Sequence, residues 1–302
     1  MKNRAKEAVL ASFVGDALSL GVHWIYNTRV IDRKYGRVEE LLEPKLASFH
    51  KGKPKGAFTH YGDQMFVLLA AMAEGGETNL LFMKAWLKLM ESGSCYVDKA
   101  SQETMDGLKG GKEGEGDGAI GSSSTDLGGA ARIAPLLLAH HESSEDLVDA
   151  ARMHTGLTHN TDAVRDAAGF FACTAKLVLD GCEPLAAMDI AIREAGGSAE
   201  LREAIQDGIE SRETDTREAI ESLGQACDIS GALPSTIHLI ARYENSLKEA
   251  LIENVMAGGD SATRGMLAGL VLGAKEGVER LPSEWMTGMH HYKEIEGLLG
   301  AM

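Results

Sequence analysis

Aromatic side chains make up only 5% of the 302 residues, and there are just six prolines and four cysteines. Stretches that alternate apolar and polar residues as a half-buried strand does are almost absent, which argues against a sandwich or barrel of strands. No apolar run is long enough to span a bilayer. Cys95, Cys173, Cys182 and Cys227 form no Cys-x-x-Cys pair and stand at no zinc-ligand spacing from a histidine. They read as small core residues in a reducing compartment. Basic residues are also short: 30 Lys and Arg against 45 Asp and Glu give a net charge of −15. A phosphate backbone is repelled by such a surface, so nucleic acid is not an expected partner. No lysine follows the glycines as in a nucleotide-binding P-loop, and Ser122-Ser123-Ser124 lack the context of a nucleophile elbow.

What the chain does have is helical periodicity. Met65 to Ala73, Leu80 to Met90, Ala163 to Leu179, Ser246 to Met256 and Met266 to Ala274 each place apolar residues on a helical face, and Asp180-Gly181 ends the third. Pro184, Pro234 and Pro282 are expected near helix starts, where a missing N–H costs nothing. At the N-terminus, Lys2, Arg4 and Lys6 precede the apolar run Ala8 to Val14, a loose mimic of a secretory leader. Glu7 and Asp16 bracket that run, and Ala5, Val9, Phe13, Ala17 and Leu20 recur at helical spacing. An amphipathic first helix and a cytoplasmic protein are therefore expected. The segment Gly107 to Gly129 breaks the pattern with glycine, and Glu113, Glu115 and Asp117 make its first half a poor phosphate cradle. Its second half, Gly128-Gly129-Ala130-Ala131-Arg132, is the better anion candidate. The run Lys51-Gly52-Lys53-Pro54-Lys55 reads as a solvated loop. Apolar helix faces lie on both sides of the glycine-rich segment, so one domain over 1–302 is expected.

Two acid-bearing segments, His60-Tyr61-Gly62-Asp63-Gln64-Met65 and Gly258-Gly259-Asp260-Ser261-Ala262-Thr263-Arg264, each open a helix. Helix N-termini collect acids and anions. If the segments meet, Asp63, Asp260, Ser261 and Thr263 converge on one polar site. His60, one turn from Asp63, is a candidate general acid or base, or part of a capping arrangement. Asp16 either orients a ligand or pairs within the first helices. His23, Trp24 and Tyr26 either stack a base or ribose face or anchor the chain after its first helix. His159 reads as structural, and His140-His141 and His290-His291 as solvated helix ends.

Gly15-Asp16-Ala17-Leu18, Gly128 to Leu136, Thr158-His159, and Gly258 to Thr263 continued by Gly269 to Gly277 occur in an order that resembles the ADP-ribosylglycohydrolase family, nearly end to end. Within it the chain is most similar to the branch holding the jellyfish J1-crystallins. The resemblance implies an all-α, orthogonally packed helical bundle forming one domain over 1–302. It also implies a ligand such as ADP-ribose or an ADP-ribosylated protein, and a hydrolytic site built on two magnesium ions. The family's ligands are an early Thr-Asp-Asp run and a late Asp-x-Asp-Thr run. Here His60-Tyr61-Gly62 stands at the first, with Asp63 one position beyond; at the second Asp260 and Thr263 match, and Ala262 replaces an aspartate. The resemblance thus implies an altered site in which Asp63, Asp260 and Thr263 hold at most one magnesium. Asp63 and Asp260 are then the available carboxylate pair, with His60 beside them. Asp16, His23, Tyr61, Gly128, Gly129 and Arg132 would form the ligand-binding set, Arg132 and the glycine backbone meeting a diphosphate. A catalytically inactive binder, a crystallin-like structural protein and a hydrolase of another small glycoside are the rival readings.

Overall fold

A computed structural model describes residues 2–46, 48–111, 120–140 and 142–302. Glu113, Glu115 and Asp117 of the glycine-rich segment, and His141, lie outside the described residues. The fold is all-α. Among the described residues the only strand-like pairings are two isolated bridges, Ser122 with His159 and Asp126 with Asp228. The expected helices form at His60–Glu74, Thr78–Glu91, Asp162–Leu179, Leu247–Met256 and Ser261–Glu276. Pro184 opens the Pro184–Glu194 helix and Pro282 caps Ser283–Thr287. Pro234 departs from expectation: it lies inside the Ile229–Arg242 helix, where it removes one internal hydrogen bond.

The first helix, Lys2–Ser19, also differs from expectation. It is not amphipathic: every residue from Ala8 to Ser19 is buried. Its partner is the Ser261–Glu276 helix, and small residues bring the two backbones together. A Cβ on Gly15 would lie 2.2 Å from the Gly265 carbonyl oxygen, and one on Gly269 would lie 2.6 Å from that of Ala11. Ala8 and Ala11 meet Gly273 in the same way. This pair forms the axis of the molecule, and the buried apolar side chains of the surrounding helices join it in one continuous cluster. Among the described residues no helix is long and apolar enough to cross a membrane.

Loops at one end of this axis are tied by backbone hydrogen bonds. Leu127 N–H donates to the Cys227 carbonyl and Ile229 N–H to that of Thr125, which fixes Asp126 beside Cys227. Trp24 N–H donates to the Gly259 carbonyl, Gly259 N–H to that of Ile25, and Asp260 N–H to that of Gln225. Gly258 and Gly259 adopt φ of 70° and 67°. Side chains there would be strained and would strike the Ile25 and Gln225 carbonyls at 2.4 and 2.2 Å. The glycine pair is thus what lets the 24–25 turn and Gln225 clamp Asp260 from both sides.

Candidate active site

The two acid-bearing segments do meet, but through Tyr61 rather than Asp63. The Tyr61 hydroxyl donates toward Asp126 Oδ2 at 3.2 Å and lies 3.4 Å from Asp260 Oδ2. Tyr61 reaches this position because Gly128 has no side chain; a Cβ there would lie 2.1 Å from its ring. The Gly128 N–H is already given to Asp126 Oδ1, at 2.7 Å. Asp260 caps the Ser261–Glu276 helix, accepting from the Thr263 N–H at 3.3 Å and the Thr263 hydroxyl at 3.0 Å.

Both carboxyls are pushed up by burial. Asp126 rises to about 7, with the Asp260 charge adding to desolvation. Asp260 also rises, though Arg264 and the Thr263 hydrogen bonds hold it back. Like charges this close cannot both ionise readily, so near neutral pH the pair carries one proton between them. Burial and the two carboxylates push the Tyr61 phenol far up as well, so it remains a donor.

Asp63 belongs elsewhere, and the pairing expected from the sequence is corrected. Two residues along an α-helix turn the side chain by about 200°, so the helix that aims Tyr61 at Asp260 aims Asp63 away. Its carboxylate is taken by Lys53, whose ammonium also donates to the Phe58 carbonyl, and by the Cys95 thiol. Lys53 is accordingly not a solvated loop residue. His60 does not pair with Asp63. Its Nδ1 lies 3.3 Å from His50 Nε2, and its Nε2 lies 3.2 Å from Asp98 Oδ2 without a well-aligned hydrogen bond. Asp16 is fully buried and accepts from the Thr59 N–H and hydroxyl. It ties the first helix to the N-cap of His60–Glu74, and burial raises its carboxyl to about 6 against those hydrogen bonds.

Arg132 is not a diphosphate ligand. It is 1% exposed, and its guanidinium is used internally on His154, Gln64 and Thr158. Gly129 serves packing, since a Cβ there would lie 2.5 Å from the His159 ring. His23 is buried with its Nδ1 3.6 Å from Asp260 Oδ1, yet that nitrogen accepts the Ala262 N–H. It therefore carries no proton, and burial lowers the imidazole pKa well below the usual range. The contact is not an ion pair. His291, expected to be solvated, stacks on Phe66 at 4.6 Å.

Two magnesium ions do not fit these donors. His60, Tyr61 and Gly62 supply no carboxylate, Ala262 no ligand atom, and Asp63 is held by Lys53. Among the described residues one trio of possible metal donors has its ligand atoms within 4.8 Å of one another: Asp126, Cys227 and Asp260. A thiol is a poor partner for magnesium, which prefers oxygen. Burial and Asp126 also push the Cys227 thiol up, so it remains protonated. Asp126 went unnoticed in the sequence, where the one signal was an acid two residues before a Gly-Gly pair, and Cys227 was read only as a small core residue. Arg264 was likewise missed. It is fully buried and donates to Asn254, Gly258 and Gln225, which holds the Asp260 loop from beneath.

The chain matches the ADP-ribosylglycohydrolase family model over residues 1–302. Crystallin J1A of Tripedalia cystophora is 26% identical over 97% of this chain and 94% of that protein. ADP-ribosylhydrolase ARH3 of Homo sapiens is 24% identical over 58% of this chain and 57% of that protein. A solved structure described as an ADP-ribosylglycohydrolase-related protein complex superposes with a TM-score of 0.76 at 23% identity, covering 99% of this chain and 96% of that one. Its likeness shows that the helical architecture is shared. The whole-length match and these relatives establish that the chain belongs to the ADP-ribosylglycohydrolase family, in its J1-crystallin-like branch.

Proposed function

We propose that this protein hydrolyses a glycosidic bond to ADP-ribose or a related sugar, with Asp126 and Asp260 as its acid–base pair. The observation that carries the reading is the buried carboxyl pair joined by Tyr61, one member of which has its pKa raised to about 7. A carboxyl still protonated at neutral pH can donate to a leaving atom, while its ionised neighbour supports positive charge on the sugar or activates water. Their donor atoms lie within 4.8 Å. That is closer than the roughly 6.5–9.5 Å that leaves room for an inverting water. The family's magnesium has no place in this reading. Residues 1–302 are read as one domain, supported by the continuous core. A cytoplasmic location is supported by four free cysteines. The net charge of −15 supports a small ligand or an ADP-ribosylated protein, rather than nucleic acid, as partner.

A second reading, an ADP-ribose binder or a crystallin-like structural protein, draws on Tyr61. Its ring is 2% exposed, and its hydroxyl fills the gap between the two acids. One assay separates the readings. Release of ADP-ribose from ADP-ribosylated protein or a dinucleotide N-glycoside is measured in EDTA and in magnesium, alongside the melting temperature with free ADP-ribose. The hydrolase reading expects turnover of equal rate in both buffers. A raised melting temperature without turnover supports the binder, and no response to either supports the structural protein.

A further inference from the structure

Beside the loop that carries Asp126 lies a groove that the proposed chemistry does not use. It forms between the Ala199–Glu210 and Ile229–Arg242 helices. The two touch where Gly208 has no side chain; a Cβ there would lie 2.6 Å from the Pro234 carbonyl oxygen. Nearer their N-termini a cavity of about 280 Å³ opens between them, floored by Leu201, Ala204, Ile229 and Leu233. Small-molecule sites usually hold about 300–1,000 Å³, so this one suits a side chain rather than a nucleotide.

The rim of this apolar floor is acidic. Glu200, Glu203 and Asp207 project from one helix, all exposed, and among the described residues no Lys, Arg or His lines the groove. A second copy of this chain, with its net charge of −15, is repelled by such a rim. An anion finds no ready donors there. The Ser198 hydroxyl already accepts the Leu201 N–H at 3.2 Å, and the Asp228 carboxylate accepts that of Ser230 at 3.0 Å. A neutral apolar ligand would cover the floor and leave the acids unused. An aliphatic stem that ends in a cation uses both, and lysine and arginine side chains have that form.

The groove is also tied to the acid pair. Ile229 N–H donates to the carbonyl of Thr125, the neighbour of Asp126, at 2.8 Å. The Thr161 hydroxyl, just before Ala163 on the groove wall, donates to the Ser124 carbonyl at 3.3 Å. We propose that this groove docks a lysine- or arginine-bearing segment of a partner protein. The stem of one basic side chain lies on Leu201, Ile229 and Leu233, and its charge meets Glu200, Glu203 and Asp207. A modified protein held there brings its sugar beside the acid pair. The groove's part in turnover rests on the hydrolase reading, but its affinity for a basic segment does not.

Anisotropy of a short fluorescein-labelled peptide alternating lysine and glycine tests this without any turnover, in about 0.15 M salt to screen distant charge. A glutamate–glycine peptide is the control. Saturable binding of the basic peptide alone is expected, with a Kd on the order of 10–100 µM. Glu203→Lys combined with Asp207→Lys should weaken it about tenfold or more. Glu74→Lys combined with Glu91→Lys changes the net charge equally at exposed positions on other helices, and should leave the Kd within about twofold. Ala204→Met fills the floor while keeping every charge, and should weaken binding about tenfold at an unchanged melting temperature. Basic-peptide binding of this pattern with no hydrolysis of any glycoside keeps the groove and removes the hydrolase reading. No saturable binding, equal weakening by both charge-reversed pairs, or full affinity in Ala204→Met overturns the groove.

Discussion

Asp260→Asn and Asp126→Asn should each lower turnover of the glycosidic substrate by about 10²–10⁴-fold, the usual worth of a placed acid or base. Asparagine suits both structural settings. At 260 its side-chain oxygen still accepts from Thr263 and caps the helix, and at 126 it still accepts from the Gly128 N–H. The loss should therefore fall on kcat, with the melting temperature moved little. The double variant should be hardly worse than the weaker single one, because the two carboxyls act as a unit. Asp63→Asn serves as the contrast: its carboxylate faces Lys53, so turnover should stay near the parent rate. Initial rates on the four proteins decide the matter. If Asp63→Asn lost activity while Asp126→Asn kept it, the pairing described above would be wrong.

Stability should fall steeply below pH 6.5. His23, His50, His154, His159 and His238 are buried, and desolvation keeps each uncharged below the usual 6.5; His50 is lowered to about 2, and His159 and His238 to about 4. Unfolding frees them to take up protons, so acid favours the unfolded chain from pH 6.5 downward. Asp16 and Asp126 act in the opposite sense. Their carboxyls, raised to about 6 and about 7, hold protons that the unfolded chain has lost above pH 3.8. They favour folding at low pH and weaken it as pH rises toward 7. Five histidines, set against Asp16, Asp126 and the likewise raised Asp63 and Asp260, leave a net uptake of about two protons on unfolding near pH 5.5. The expected loss is roughly 2–3 kcal/mol per pH unit between pH 6.5 and 4.5, with a nearly flat profile above pH 7.5. Urea unfolding across that range measures it. A flat profile down to pH 5 would mean that the histidines are charged or exposed in the native state.

Much of the architecture was legible because it rests on local rules. Apolar spacing fixed the long helices, and Thr59 and Asp260 cap two of them as their residue types suggest. The meeting of the 60–65 and 258–264 segments was also readable. Which side chain made the contact was not. Asp63 and Tyr61 are two residues apart, and only the rotation of the helix against Gly128 decides that Tyr61 faces the acids. Asp126 was hidden for a different reason. It stands in a run of Ser, Thr and Gly, and its partner Cys227 is about a hundred residues away, brought alongside by backbone pairing that no local pattern announces. Arg132 misled because an arginine after glycines suits an anion equally well. Its use on His154, Gln64 and Thr158 depends on three other segments.

The pair of acids can be followed directly. With aspartate carboxyl carbons labelled by ¹³C, and Asp126→Asn and Asp260→Asn assigning the signals, one resonance of the pair should titrate with a midpoint of about 7. It should fall only in part once its neighbour is neutralised, because burial is the larger cause of the rise. If both carboxyls ionise together near pH 4 in the parent protein, no proton is shared between them, and the acid–base account of this site fails.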